Sequence, residues 1–192
     1  MAGCNLYVVS GIDGLFNEFD SYLKSYLTYQ SIYYLKYDHA ISFAENLKQM
    51  TEDIKDSNSI ILGWSIGAVI SLFLAEEFDF KHCICINSFF NRRVILEKRG
   101  IQCDEDVFVE TISCKNRNFT IITGGCDDKI PSSQSMEIKE HLEKDNFVKF
   151  VTFPNAKHNL KSFPQEEIFK IVNKLSESLK NELNDYYSKK QQ

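Results

Sequence analysis

The sequence predicts an α/β fold, a three-layer sandwich with a mostly parallel sheet of about six strands. Short runs rich in β-branched and aromatic residues recur along the chain, and amphipathic helical patterns separate most of them. Strands that alternate with helices are typical of βαβ units, in which helices cover both faces of a parallel sheet. A chain of 192 residues makes one ordinary domain. We therefore predict a single domain over residues 1–192.

The six predicted strands share a β-branched and aromatic composition and are residues 5–10, 31–36, 59–63, 82–87, 119–124 and 147–153. Between and after them the apolar residues recur every three or four positions, which predicts helices. These helices cover residues 15–27, 41–54, 66–78 and 132–144, and the tail from Pro164. The helix over 66–78 is apolar nearly all round, so we expect it to be well buried.

The connector between the fourth and fifth strands, residues 88–118, is about twice as long as a simple crossover. Such an excursion is usually a lid or a binding loop, and we predict a short lid with no large cap. The connector also holds the only dense basic cluster of the chain, which consists of Arg92, Arg93, Lys98 and Arg99. The alternative is a solvated amphipathic segment whose charges bind nothing. The residues predicted to contact substrate are Phe89, Phe90, Arg92 and Arg93.

Composition excludes several classes of function. The formal net charge of −5, with both signs interspersed, argues against a nucleic-acid partner. No apolar run is long enough to span a membrane, and the N-terminus shows no leader pattern, so we expect a cytoplasmic protein with no membrane partner. The six cysteines form no CxxC pair and have no histidine at ligand spacing, so we expect neither a metal nor a cofactor. Cys4, Cys83 and Cys85 are expected to be buried thiols.

The stretch Gly63-Trp64-Ser65-Ile66-Gly67 stands where the third predicted strand passes into a helix. A hydroxyl on such a turn is raised above the sheet, beside helix amides that favour an oxyanion, and glycines two residues away on each side leave space for neighbouring backbone. The pattern arises by chance in about one chain in fifteen of this length, so its placement is the informative part. Ser65 is therefore the predicted nucleophile.

A serine nucleophile needs a base and an acid that orients the base. His158 follows the sixth predicted strand, and Asp127 and Asp128 follow the fifth, so both groups fall on loops at the carboxyl edge of the sheet. We predict His158 as the base and Asp127 as the acid, with Asp128 as the alternative acid. The other histidines fit less well, since they begin a helix, begin a strand or lie within an exposed helix: His39, His82 and His141.

The oxyanion formed during acyl transfer needs backbone N–H donors. We predict the N–H groups of Ile66, after the nucleophile, and of Ile12, in the loop after the first strand. The loop Ser-Gly-Ile-Asp-Gly, residues 10–14, is equally compatible with an ordinary turn that has no role in binding. It lacks the third glycine of a dinucleotide fingerprint and the lysine of a P-loop.

At these residues the chain resembles the α/β-hydrolase fold family, and the resemblance covers nearly its whole length. GWSIG is similar to the nucleophile elbow, GGCDDKIP to the acid loop with Asp127 in the acid position, and NAKHNL to the histidine loop. Within the family the chain looks most like stand-alone thioesterases that act on carrier-protein-bound acyl chains. It departs from them at Ser10, where His or Pro is usual. It also carries the acid after the fifth strand, whereas several carrier-protein thioesterases carry it one strand earlier. Small carboxylester hydrolases, including those that demethylate a carrier-bound methyl ester in biotin synthesis, are about equally compatible.

The resemblance implies hydrolysis of an acyl thioester or a carboxylic ester through an acyl-serine intermediate. The substrate is expected to be a small-molecule acyl ester or thioester, with an acyl carrier protein as a possible partner. A basic rim at the predicted lid would suit the phosphate of a phosphopantetheine arm or an acidic carrier. The alternative function is a non-catalytic ligand-binding or interaction protein on the same scaffold.

Overall fold

The computed structural model describes residues 5–10, 31–38, 40–56, 58–97 and 109–190. Six strands lie within these ranges, each within one or two residues of its predicted position. They are β1 (Asn5–Val9), β2 (Ser31–Leu35), β3 (Ile60–Trp64), β4 (His82–Ile86), β5 (Asn118–Gly124) and β6 (Phe147–Phe153). The predicted α/β class is confirmed.

Of the helices in the described residues, all but the short one at Arg92–Glu97 lie where the periodicity predicts them. The helices are α1 (Phe43–Asp53), α2 (Ile66–Glu77), α3 (Arg92–Glu97), α4 (Ser132–Leu142) and α5 (Gln165–Lys190), with single 3₁₀ turns at Val109–Thr111 and Leu160–Ser162. α1 begins at a capping box, in which Ser42 Oγ accepts from the N–H of Glu45 at 3.2 Å and the Glu45 carboxylate accepts from the N–H of Ser42 at 3.1 Å. The helix predicted over residues 15–27 lies outside the described residues.

The six strands form one sheet in the order β2-β1-β3-β4-β5-β6, and every neighbouring pair is parallel. The carboxyl ends of all the strands therefore meet at one edge. The strand order reverses between β1 and β3, and in open α/β sheets ligands bind in the crevice at this point. Ser65, directly after β3, lies at this crevice.

Apolar side chains cover the sheet on both faces, which makes three layers. On one face, Tyr7 and Ile61 pack with residues of α1, α2 and α4, and α2 is buried nearly all round, as predicted. On the other face, Leu62 and Ile84 pack with Ile168 and other residues of α5. The parallel strands read as continuous apolar runs because both of their faces are buried.

The described part of the connector over residues 88–118 is largely packed on the core. Phe89, Ile95, Val109 and Ile112 are all buried among core residues. Its start is also tied to α4, since the side-chain oxygen of Gln134 accepts from the N–H groups of Phe90 and Asn91 at 3.2 and 3.1 Å. Residues 98–108 lie outside the described residues.

The described cysteines are free thiols. Cys83 and Cys85 are buried, as predicted, whereas Cys114 is half-buried and Cys126 is exposed. Cys4 and Cys103 lie outside the described residues. Within the described ranges, none of the helices combines the length and the apolar character that crossing a membrane requires.

His82 makes folding stability depend on pH. Its Nε2 lies 2.8 Å from Thr120 Oγ1, and burial, with a smaller contribution from Lys149, lowers the pKa of His82 to about 4. The unfolded chain binds this proton at a pKa of about 6.5, so the unfolded state takes up more protons between these two values. The stabilisation is therefore complete above about pH 6.5 and is lost as the pH falls toward about 4.

We expect the wild type to lose up to about 3 kcal/mol of unfolding free energy between pH 7 and pH 4 through His82 alone. Urea unfolding of wild type and His82→Gln across this range measures the effect, because glutamine is polar and does not titrate. The difference in stability between the two proteins should shift in favour of His82→Gln as the pH falls. A pH-independent difference would contradict this assignment.

Candidate active site

Ser65 sits on a strained turn between β3 and α2. Its backbone angles, φ 57° and ψ −124°, lie in a region that non-glycine residues rarely adopt, at a cost of about 1–3 kcal/mol. The Ser65 N–H donates to the carbonyl of Ile86 on β4 at 2.9 Å, and the Ser65 carbonyl accepts from the N–H of Ala68 at 3.0 Å. These bonds hold the turn from both sides and keep the side chain at the crevice.

The two glycines beside Ser65 are required by close backbone approach. A Cβ atom at Gly63 would overlap the carbonyl of Gly67 and the hydroxyl of Ser71. A Cβ atom at Gly67 would overlap the carbonyls of Val9 and Ser10. The first turn of α2 therefore packs directly on the end of β1, as the sequence argument for these glycines requires.

The Ser65 hydroxyl is not used to cap the helix that it precedes. A serine at this position usually accepts from the second or third N–H of the helix, but the Ser65 side chain makes no such bond. Ile66 is the first residue of α2, where N–H groups have no acceptor within the helix and the helix dipole favours negative charge. Ile12, the second predicted oxyanion donor, lies outside the described residues.

His158 and Asp127 are brought together from the loops after β6 and β5. His158 Nδ1 lies 2.9 Å from Asp127 Oδ2, while Asp127 Oδ1 accepts from the N–H groups of Lys129 and Ile130, both at 2.8 Å. The Asp127 side chain is fully buried and that of His158 is 10% exposed. An ionised carboxylate only accepts, so this contact assigns the proton to Nδ1 and leaves Nε2 as a base. Asp128, the alternative acid, is exposed.

Trp64 connects the serine turn to the histidine loop. Its indole N–H donates to the carbonyl of His158 at 3.0 Å, and the two rings lie 5.3 Å apart between centroids. Because Trp64 directly precedes Ser65, this contact places the histidine loop beside the serine turn. In the part of the chain that the structure describes, Ser65 Oγ and His158 are not hydrogen-bonded to each other.

Of the other three histidines, two lie away from Ser65 and one lies outside the described residues. His82 is at the amino end of β4. His141, on α4, has its Nε2 atom 2.9 Å from the carbonyl oxygen of Ile112. His39 lies outside the described residues. Within the ranges that the structure describes, no group of three or more His, Cys, Asp or Glu side chains could hold a metal ion.

The residues predicted to contact substrate from the connector have different surroundings. Phe89 is 5% exposed and packs in the core, and the ring of Phe90 lies edge-on to His141 at 5.8 Å. Arg93 is exposed on α3, whereas the side chain of Arg92 is outside the described part. Lys98 and Arg99 are also outside it. Substrate contact by this segment stays a prediction.

Asn87 lies at the candidate site, and the sequence does not predict it. It directly follows β4, and its side-chain amide bonds both to the last residue of β5 and to the loop after β6. The only signal in the sequence is an asparagine at the carboxyl end of a strand, where polar residues of many kinds occur. Its partners lie 37, 70 and 71 positions away, so no local pattern points to them.

With its six-stranded parallel sheet between two helical layers, the chain has the α/β-hydrolase fold. It is similar to α/β hydrolase domain-containing protein 10 from mouse, with a TM-score of 0.68, 11% identity, and 93% of this chain and 92% of that chain covered. Est1E from Butyrivibrio proteoclasticus has a TM-score of 0.67, 13% identity and coverage of 92% and 88%. The thioesterase domain from the curacin biosynthetic pathway has a TM-score of 0.60, 11% identity and coverage of 88% and 91%. At the level of sequence, no family model matches the chain and no curated protein matches it.

Proposed function

We propose that this protein is a serine hydrolase that cleaves a carboxylic ester or an acyl thioester through a covalent acyl-serine. The observation that carries the proposal is the 2.9 Å contact between His158 Nδ1 and the fully buried carboxylate of Asp127. It orients a base at the same crevice as an uncapped serine hydroxyl on a strained turn. A protein that only binds ligand has no need of this combination.

In the proposed acylation step, Ser65 Oγ attacks the carbonyl carbon of the substrate while His158 Nε2 takes the hydroxyl proton. The negative charge moves to the carbonyl oxygen, which the N–H groups of Ile66 and Ile12 would bind. When the tetrahedral intermediate collapses, the bond from the carbonyl carbon to the leaving oxygen or sulfur breaks. His158 then gives its proton to that leaving group, and the acyl group stays on Ser65.

Deacylation repeats the same chemistry with water. His158 Nε2 removes a proton from the water, whose oxygen attacks the acyl carbon, and the Ser65 oxygen leaves with the proton that His158 returns. Asp127 stays ionised throughout and stabilises the imidazolium in both steps. The sequence and fold leave the leaving group open, so ester and thioester hydrolysis are proposed together.

A fluorophosphonate probe tests the proposal on the intact protein. The probe should become bonded to Ser65 Oγ, and peptide mass spectrometry should locate the adduct there. EDTA should leave the labelling rate unchanged. An intact protein that the probe does not label would instead favour the alternative, a ligand-binding protein on the same scaffold, and activity restored by a divalent metal would contradict the serine mechanism.

A graded series of p-nitrophenyl esters and acyl-CoA thioesters measures the acyl preference. Prior labelling with the fluorophosphonate probe should block hydrolysis of both series, because both pass through the acyl-serine. The class with the higher kcat/KM identifies the leaving group. The chain length with the highest value identifies the size of acyl group that the crevice accepts.

We further propose that an acidic carrier protein or its phosphopantetheine arm delivers the acyl group. The sequence places Arg92 and Arg93 in a basic cluster of an otherwise acidic protein, and Arg93 is exposed on α3. A thioesterase domain is among the structures that the chain is similar to. Positive charge beside the crevice would speed the encounter with an anionic partner.

Replacing both Arg92 and Arg93 with Ala should lower kcat/KM for an acyl-carrier-protein substrate more than for a small neutral ester. The carrier-protein rate should also fall as salt rises, since exposed charges are screened over about 10 Å at 0.1 M. The matched control removes two exposed lysines of α5, Lys170 and Lys174. Equal loss on both substrates would indicate a damaged connector, and no loss on either would contradict the carrier proposal.

A further inference from the structure

Asn87 occupies an unusual backbone position at the carboxyl edge of the sheet. It directly follows β4, is 1% exposed, and has a φ of 49°, in the left-handed region. Among residues other than glycine, asparagine and aspartate reach this region most readily. The backbone there turns out of the strand, and the side chain is held in the interior of the site.

The Asn87 amide joins the end of β5 to the histidine loop. Nδ2 donates to the carbonyls of His158 and Lys157 at 3.1 and 3.2 Å, so both of its protons are used. Oδ1 accepts from the N–H of Gly124 at 2.9 Å. Gly124 is the last residue of β5, three positions before Asp127, so one buried side chain contacts both the strand end that leads into the acid loop and the histidine loop.

We infer that Asn87 is a positioning residue, which holds the imidazole of His158 in register with the carboxylate of Asp127. It acts through the backbone at the end of β5 and in the histidine loop, and it does not touch the reacting atoms. Its consequence for turnover rests on the proposed function, but the geometry that it maintains exists in the free protein. Small displacements of a base from its partner are costly, with about 100-fold lost for a misplacement near 1 Å.

Other bonds keep the loops near each other when Asn87 is changed. The indole of Trp64 donates to the same His158 carbonyl at 3.0 Å, and the N–H of Cys126 donates to the carbonyl of Ala156 at 2.9 Å. These contacts should preserve the fold of an Asn87 variant. What such a variant loses is the link between the end of β5 and the histidine loop.

Two substitutions distinguish the effect of the Asn87 side chain from the effect of its backbone conformation. Asn87→Asp keeps the size and the tolerance of a positive φ, but it turns an acceptor toward two carbonyl oxygens. Asn87→Gly removes the side chain and relieves the backbone, since glycine adopts a positive φ without strain. Both variants lose the two donated bonds, so the inference expects the same direction of effect from each.

Asn146 offers a matched control at the other end of the sheet. Its Nδ2 donates to the carbonyls of Cys114 and Leu142 at 2.9 and 3.0 Å, and its Oδ1 accepts from the N–H of Arg117 at 3.0 Å. This bonding pattern equals that of Asn87, but Asn146 precedes the amino end of β6, away from the crevice. Asn146→Asp therefore makes the same chemical change without touching the site.

The first measurement is proton NMR of the free protein. A histidine N–H that donates to a carboxylate resonates far downfield, and loss of the signal in Asp127→Asn assigns it to His158 Nδ1. We expect the signal in wild type and in Asn146→Asp, and its loss or broadening in Asn87→Asp and Asn87→Gly. An unchanged signal in a folded Asn87 variant would overturn the inference, and if Asn87→Asp does not fold, Asn87→Gly decides.

The second measurement is turnover of an ester that wild type hydrolyses. Both Asn87 variants should lose about 10- to 100-fold in kcat with little change in KM, while Asn146→Asp keeps the wild-type kcat. Equal kcat losses at Asn87 and Asn146 would reduce Asn87 to a structural role. Failure of the proposed function looks different, because wild type itself would then escape the fluorophosphonate probe while the NMR comparison still tests Asn87.

Discussion

Ser65→Ala should abolish hydrolysis, with kcat lowered by about 10⁶-fold relative to wild type. The substitution removes only the hydroxyl oxygen, and the strained backbone at φ 57° already carries a Cβ atom in wild type. The carbonyl carbon of the substrate then has no nucleophile within the protein, and the oxyanion donors alone accelerate attack by water only weakly. Initial rates with the best p-nitrophenyl ester measure the loss, and urea unfolding checks that the fold persists.

The control for this variant is Ser178→Ala, which removes an exposed hydroxyl from α5. It should retain the wild-type rate and the wild-type labelling by the fluorophosphonate probe. Ser65→Ala should show neither. If Ser65→Ala kept a substantial fraction of the activity, the nucleophile would be another group and the proposed mechanism would be wrong.

Asp127→Asn should lower kcat by about 10⁴-fold while the protein stays folded. The Oδ1 atom of asparagine can still accept from the N–H groups of Lys129 and Ile130, so the loop after β5 keeps its two local bonds. The new amide group donates toward His158 and can no longer accept from Nδ1. The imidazole is then driven to carry its proton on Nε2, the nitrogen that must accept the Ser65 proton.

Asp128→Asn is the matched control, because it makes the same change one residue later. Asp128 is exposed, so we expect the wild-type kcat and an unfolding free energy within about 0.5 kcal/mol of wild type. Both variants are compared with wild type in kcat and in unfolding midpoint. If Asp128→Asn were inactive and Asp127→Asn active, the acid would be Asp128 and the assignment of Asp127 would be wrong.

Local patterns in the sequence were sufficient to predict the six strands and their alternation with helices along the chain, but not the order of the strands in the sheet. β-branched runs such as Phe119–Gly124 and the apolar helix after Ser65 are recognisable because the periodicity of buried positions is a local property of the chain. The connector after β4 was harder. Its length and its apolar and basic residues predict a lid, and the lid stays a prediction. The burial of Phe89 and Ile95 in the core could not be predicted, because only the packing of distant elements decides which apolar residues are covered.

The sequence by itself determined the α/β class and placed a serine, a histidine and two candidate acids at the carboxyl ends of β3, β6 and β5: Ser65, His158, Asp127 and Asp128. That was possible because a parallel sheet brings the ends of all its strands to one edge, so position along the chain predicts position at the crevice. Only the tertiary structure decided that Asp127, and not Asp128, reaches His158, since a one-residue difference depends on the turn. It also revealed Asn87 and Trp64, whose bonds to His158 span 71 and 94 residues and arise only when the strands pack side by side.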